Sequence, residues 1–163
     1  MSTESLDDLF ETGLKEMYYT EKQLLDALDD LESEVSDEKA QSAFREHRQE
    51  TEGHVERLEE VFDKVGVSPE EKQLHAVDGL VEDHDEFVQN DPEQEALEAF
   101  DLTAAQKSEH LEIAAYGNLA HLADQLGHDE AGDLLHQNLE EEEEALDELV
   151  EATEQLDVSS AAD

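Results

Sequence analysis

Residues 6–35 read LDDLFETGLKEMYYTEKQLLDALDDLESEV. Leu6, Leu9, Phe10, Leu14, Met17, Leu24, Leu25, Leu28 and Leu31 recur at intervals of three and four. That period brings side chains onto one face of an α-helix, and nothing in the stretch alternates as a strand would. One position breaks the stripe. Glu21 stands on the apolar face, one turn from Met17 and from Leu24 and Leu25. A long amphipathic helix needs partners to cover its greasy side, and an acid on that side needs a counter-charge.

Working outward, the pattern fades at Glu32-Ser33-Glu34-Val35, and Ser36 reads as the N-cap of a second helix. That helix carries Phe44, His47, Thr51, Val55, Leu58, Val61, Phe62 and Val65 and stops at Gly66, a residue suited to the left-handed C′ position. Ser68-Pro69-Glu70-Glu71 reads as a capping box with Pro in the first turn. It opens a shorter helix through Leu74, Val77, Leu80, Val81 and Phe87. The chain then restarts with Asp91 as cap and Pro92 as the first helical residue. A long helix follows through Leu97, Phe100, Ala104, Ala105, Ser108, Glu112, Tyr116, Leu119 and Leu122 and ends at Gly127. The last helix runs from about Asp129 to about Leu156.

The expected class is all-α: a four-helix bundle of two antiparallel hairpins with a helical crossover. Short turns near position 35 and at Gly127 make the hairpins, and the Gly66–Asp91 link makes the second and third long helices parallel. Residues 1–158 are expected to form one domain and residues 159–163 a frayed tail.

Composition narrows the function. The 163 residues include 49 Asp+Glu against 9 Lys+Arg, a formal net charge of −40, and no Cys. Thiol catalysis, zinc–thiolate sites and disulfides are excluded. Nucleic acid and anionic membrane surfaces would repel the chain, so neither is expected as a partner. No apolar run approaches the roughly 20 residues of a membrane span. The N-terminus has neither a basic region nor an apolar stretch, which points to the cytoplasm. Such acidity fits either disorder or a fold adapted to molar salt, where charges are screened within about 3 Å. The regular helical spacing favours the halophilic fold.

The acids on the inner faces carry the chemistry. Glu21 and Glu50 each lie 14 to 15 residues from the first bend, and His54 follows Glu50 by one turn. Glu112 and Glu142 each lie 15 residues from Gly127. At 1.5 Å per residue all four reach the middle of the bundle, about 22 Å from the turns. The chance of four acids sharing one such level is only about a few per cent, even in so acidic a chain. Together they would repel and lose hydration unless cations joined them, and carboxylate with imidazole suits Fe or Mn, with Zn possible. The di-iron bundle template takes a Glu from two helices and Glu-x-x-His from two others. The match is partial: Glu50 and His54 are four apart, Leu146 stands where a second His would, and Glu109 or His47 could fill the gap. The Glu140–Glu144 run reads mostly as a solvated face, and Tyr18, Tyr19 and Tyr116 as packing. His75, His84, His121, His128 and His136 read as surface residues.

Several stretches resemble a known group: Tyr18-Tyr19-Thr20-Glu21-Lys22-Gln23-Leu24, His47-Arg48-Gln49-Glu50-Thr51, Val55-Glu56-Arg57-Leu58 and Leu139-Glu140-Glu141-Glu142. The most specific runs from Ala105 to Gly117, AQKSEHLEIAAYG. Over nearly its whole length the chain resembles the YciE/YciF stress-protein family of the ferritin-like superfamily. The resemblance implies a rubrerythrin-like bundle, a dinuclear metal centre, a homodimer and a link to oxidative or osmotic stress. Carried over, the ligand candidates are Glu21, Glu50, Glu112 and Glu142, then His54 and Glu109. Family members often have a carboxylate where this chain has Leu146. The expected activity is ferroxidase or peroxide-scavenging chemistry with O₂ or peroxide. The alternative is a non-catalytic dimeric helical stress protein or metal buffer.

Overall fold

A computed structural model describes residues 5–35 and 38–156. These residues form five helices: α1 (Leu6–Glu34), α2 (Glu38–Val65), α3 (His75–Val88), α4 (Gln94–Leu126) and α5 (Asp129–Gln155). No strand occurs among the described residues, and no helix there is long and apolar enough to cross a membrane. The Ser36 cap and the tail at 159–163 lie outside the described residues.

Local chemistry sets most of the helix ends. Ser5 caps α1: its hydroxyl accepts from the Asp8 amide at 3.1 Å, and the Asp8 carboxylate accepts from the Ser5 amide at 3.1 Å. Gly66 ends α2 at φ 72° and Gly127 ends α4 at φ 78°. At both ends the next residue's amide reaches back, Val67 to the Phe62 carbonyl at 3.0 Å and His128 to Ala123 at 2.9 Å. This arrangement satisfies the last carbonyls of each helix.

Side-chain pairs fix the directions. Arg45 meets Glu32 and Tyr18 meets Glu59, so α1 and α2 are antiparallel. Tyr116 reaches Glu21 and Leu119 lies against Gly13, so α4 is antiparallel to α1. Lys64 pairs with Glu130 while His54 faces Glu141 and Glu142, so α5 is antiparallel to α2. The long helices α2 and α4 therefore run in the same direction, as expected of a crossover link.

Burial divides along the bundle axis. Phe10, Leu14, Met17 and Tyr18 of α1 pack with Leu58, Val61 and Phe62 of α2, with Tyr116 to Ala123 of α4 and with Ala131 and Leu135 of α5. A smaller apolar cluster of Leu28, Leu31, Val35 and Phe44 lies toward the opposite end of α1. Glu21 sits between them in sequence and in space, fully buried.

The crossover corrects two expectations. The helix expected to open at Ser68-Pro69 begins only at His75. Residues 67–74 instead run along α1 as a strap. The Lys72 amide donates to the Lys15 carbonyl at 3.1 Å, Lys15 Nζ meets Glu70 at 2.7 Å, Lys72 Nζ meets Glu16 at 2.7 Å, and Lys22 pairs with Glu71. The two glutamates of the apparent capping box thus serve lysines of α1. Asp91 does not cap α4, nor is Pro92 its first residue. Asp91 closes α3 at φ 51°, in the left-handed region that Asp tolerates better than most residues, and α4 begins at Gln94.

Candidate metal centre

Four carboxylates meet in the layer between the two apolar clusters. Glu21 of α1, Glu109 and Glu112 of α4 and Glu142 of α5 are each no more than 1% exposed. His54 of α2 joins them at 1% exposure. Its Nδ1 lies 2.9 Å from Glu142 Oε1 and 3.4 Å from Glu21 Oε1. One and two turns before it on the same face of α2 come Thr51, which is buried, and His47. His47 Nε2 lies 3.0 Å from Glu109 Oε1. Among the described residues, two groups in this layer have donor atoms close enough to hold an ion, Glu21–His54–Glu142 and His47–Glu109–Glu142, and Glu142 belongs to both.

The surroundings hold one half firmly. His54 Nε2 lies 3.0 Å from Glu141 Oε2. Arg57 donates to Glu141 and to the side-chain oxygen of Asn138. The Tyr116 hydroxyl donates to Glu21 Oε1. A carboxylate on the remote ring nitrogen orients a ligating imidazole and raises its basicity. At the other half, His47 Nδ1 faces only Glu50, at 3.6 Å. Beside His47 and Glu109 lies a cavity of about 60 Å³, otherwise lined largely by apolar side chains such as Leu24, Leu28, Leu80 and Ala105.

The electrostatics are those of uncompensated charge. Burial pushes the carboxyls of Glu21 and Glu142 up, and Glu112 well up, with neighbouring carboxylates adding to the rise. Burial alone would drive the His54 imidazolium down, but Glu142 and Glu21 outweigh it and lift the value to about 10. His47 shows the same balance: burial opposes the charge, and Glu109 and Glu50 raise it well above normal. Burial also raises Tyr116, with Glu21 behind it. Many polar atoms still lack a hydrogen-bond partner: Glu21 Oε2, Glu112 Oε1, His54 Nδ1 and both oxygens of Glu109 and Glu142. The His54 Nδ1 approaches are short but misdirected for hydrogen bonds. Atoms that crowd together without bonding one another have the geometry of ligands sharing an ion, and oxygen with imidazole nitrogen suits first-row divalent metals.

Of the sequence-based candidates, Glu21, His54, Glu109, Glu112 and Glu142 meet in this layer. Glu50 does not enter it. Its side chain is 52% exposed and turns to the His47 ring, which holds its carboxyl below the usual range. The cause is register. The pairs Tyr18–Glu59, Arg45–Glu32 and Arg48–Asp29 all total 77, placing residue 56 opposite Glu21. The inward residues flanking that level are His54 and Leu58, and His54 is the one with a metal-binding side chain. A bend at position 35 or 36 had placed Glu50 there. Glu141, which the sequence reads as part of a solvated face, and Arg57, to which it assigns no site role, brace the cluster. Tyr116, read as packing, also touches the cluster. His47, which the sequence offers as a residue to fill the gap in the template, also joins the layer through Glu109. His84, read as surface, is only 13% exposed at its side chain, because α3 lays it against the end of α1 and the start of α4.

The family described as a domain of unknown function, DUF892, matches residues 5–162. The chain belongs to this family. The Protein YciF of Escherichia coli (strain K12) is 39% identical over 143 residues, covering 87% of this chain and 86% of that protein. The crystal structure of the E. coli stress protein YciF superposes with a TM-score of 0.87 at 37% identity, covering 92% of this chain and 95% of that one. A structure of YcfI from Rhodopseudomonas palustris, described there as a candidate structural protein, also gives 0.87, at 34% identity over 91% of this chain and 94% of that one. The resemblance to the YciF stress proteins is therefore borne out, and both solved structures share this architecture.

Proposed function

We propose that this DUF892 protein is a ferritin-like di-metal stress protein with Fe or Mn in the buried layer, acting on O₂ or peroxide. The observation that carries the reading is the set of orphaned oxygens on Glu21, Glu109, Glu112 and Glu142. Four ionised carboxylates carry four negative charges, and two divalent cations with neutral imidazoles balance them. Each buried ion without compensation costs several kcal/mol, against a total stability of about 5–15 kcal/mol. Glu21 and His54 would hold one ion, His47 and Glu109 the other, with Glu142 shared and Glu112 beside it. Such a pair supplies one-electron redox chemistry toward oxygen species. The chain's own residues do the rest. Glu141 and Arg57 fix the His54 ring, Tyr116 offers a proton to Glu21, and the cavity beside His47 and Glu109 has room for small molecules.

A second reading keeps the same layer but neutralises it with protons, leaving a non-catalytic helical stress protein. The structural role suggested for YcfI favours it. Metal analysis and turnover separate the two. Protein purified in high salt is expected to contain close to two Fe or Mn per chain and to consume peroxide or oxidise Fe(II) with O₂. Bound metal without turnover selects a metal buffer. No stoichiometric metal sinks the di-metal reading.

A further inference from the structure

At the far end of α1 a second mixed cluster lies outside the central layer. Glu34 is the last residue of α1, His84 comes from α3 and Asp101 from the second turn of α4. His84 Nε2 lies 3.1 Å from Asp101 Oδ1 and 3.2 Å from Glu34 Oε2. A ring nitrogen carries one hydrogen at most, and here it points at Asp101. Glu34 Oε2 is left buried with no hydrogen-bond partner, and so is the second oxygen of Asp101, Oδ2. The Asp101 side chain is 1% exposed, so solvent does not satisfy that oxygen.

We propose that Glu34, His84 and Asp101 form a separate site for a divalent transition cation of the Zn²⁺ or Mn²⁺ class, which fastens α3 to α1 and α4. Ligands about 2.1 Å from an ion at tetrahedral or octahedral angles sit roughly 3.0–3.4 Å apart. The two imidazole–carboxylate separations match that spacing. Two carboxylates, one neutral imidazole and a divalent ion sum to zero charge. The cation would replace the single shared proton and occupy the orphaned oxygens as well. The end of α1 adds its own pull, because a helix C-terminus favours positive charge and the last turn of α1 has no basic residue. The imidazole selects against Mg²⁺ and Ca²⁺, which prefer oxygen donors alone. His84 borders the same cavity as His47 and Glu109, but this site shares no donor with the proposed central one, and neither depends on the other.

The test uses full-length protein stripped with a chelator and dialysed against Zn²⁺, with anomalous diffraction at the zinc edge. The expected result is a peak between Glu34, His84 and Asp101 that persists in Glu142→Gln and vanishes in His84→Gln, with the loss of one zinc per chain. Asp101→Asn, close to isosteric, serves if His84→Gln does not fold. In Glu142→Gln protein, zinc at about 100 times its Kd should slow amide exchange in α3 about 100-fold, and chelator should reverse it. No peak at the triad under saturating zinc, or unchanged zinc content in the folded triad variants, overturns the proposal. Unchanged α3 exchange overturns its fastening role.

Discussion

The two halves of the central layer use the same residue types but are built differently. Around His54 every approach is closed: the ring lies between Glu142 and Glu21 on one side and Glu141 on the other, Arg57 braces Glu141, and Tyr116 covers Glu21. Around His47 the ring is partly open, Glu50 is loosely placed, and a small cavity lies alongside. A rigid half preserves its geometry whether or not an ion is present. An accessible half lets small molecules in. The pairing teaches that one layer can divide anchoring from access without changing its donor chemistry.

Removing the shared residue should have the largest effect and abolish the comparison altogether. Glu142→Gln takes a ligand from both halves, so elemental analysis should show the two central metals lost under conditions that load the parent protein, leaving at most the ion held by Glu34, His84 and Asp101. Next comes the brace. Arg57→Ala frees Glu141 and through it His54, and a loss of about 10–100-fold in metal affinity is expected, confined to the His54 half. Competitive titration against a chelator should then show one weakened and one unchanged step.

A pH series sharpens the contrast in the metal-free protein. The fold keeps protons on Glu21, Glu112 and Glu142 that the unfolded chain releases near 4.5, so stability declines as pH rises above that value. His54 acts in the same direction. Its stabilising share is complete below 6.5 and is lost as pH rises toward about 10. Urea melts at about pH 5.5 and about pH 9.5 should therefore differ clearly without metal and much less with it. The smallest effect is expected at the open half. Glu50→Ala removes only a half-exposed carboxylate and should change metal affinity by no more than about fivefold, since exposed ion pairs contribute about 0–1 kcal/mol.

The sequence made the helices legible because three-and-four spacing survives even in so acidic a chain. Gly66 and Gly127 were readable for the same local reason: each supplies the left-handed turn that a helix exit needs. The level of the second hairpin was also readable, because its turn is short and Gly127 marks its centre. The first hairpin was not. Its turn length shifts the register of α2 against α1, and no single residue announces that length, so Glu50 was placed where His54 stands. The strap was hidden for a different reason. Ser68-Pro69-Glu70-Glu71 carries a helix-start signal that α1 overrides with Lys15, Lys22, Glu16 and a backbone carbonyl. The roles of Glu141, read as part of a solvated face, and of Arg57 come from a pairing across helices, which leaves no periodic trace in either one.

The separation of Phe10–Tyr18 and its partners from Leu28, Leu31, Val35 and Phe44 has a consequence for unfolding. Two oily blocks joined through a charged seam are expected to unfold as two cooperative units rather than one. Without counter-ions, the smaller block should melt first, giving a calorimetric trace with two transitions. Filling the seam should weld them into a single event, so the shape of the melting curve would itself report occupancy.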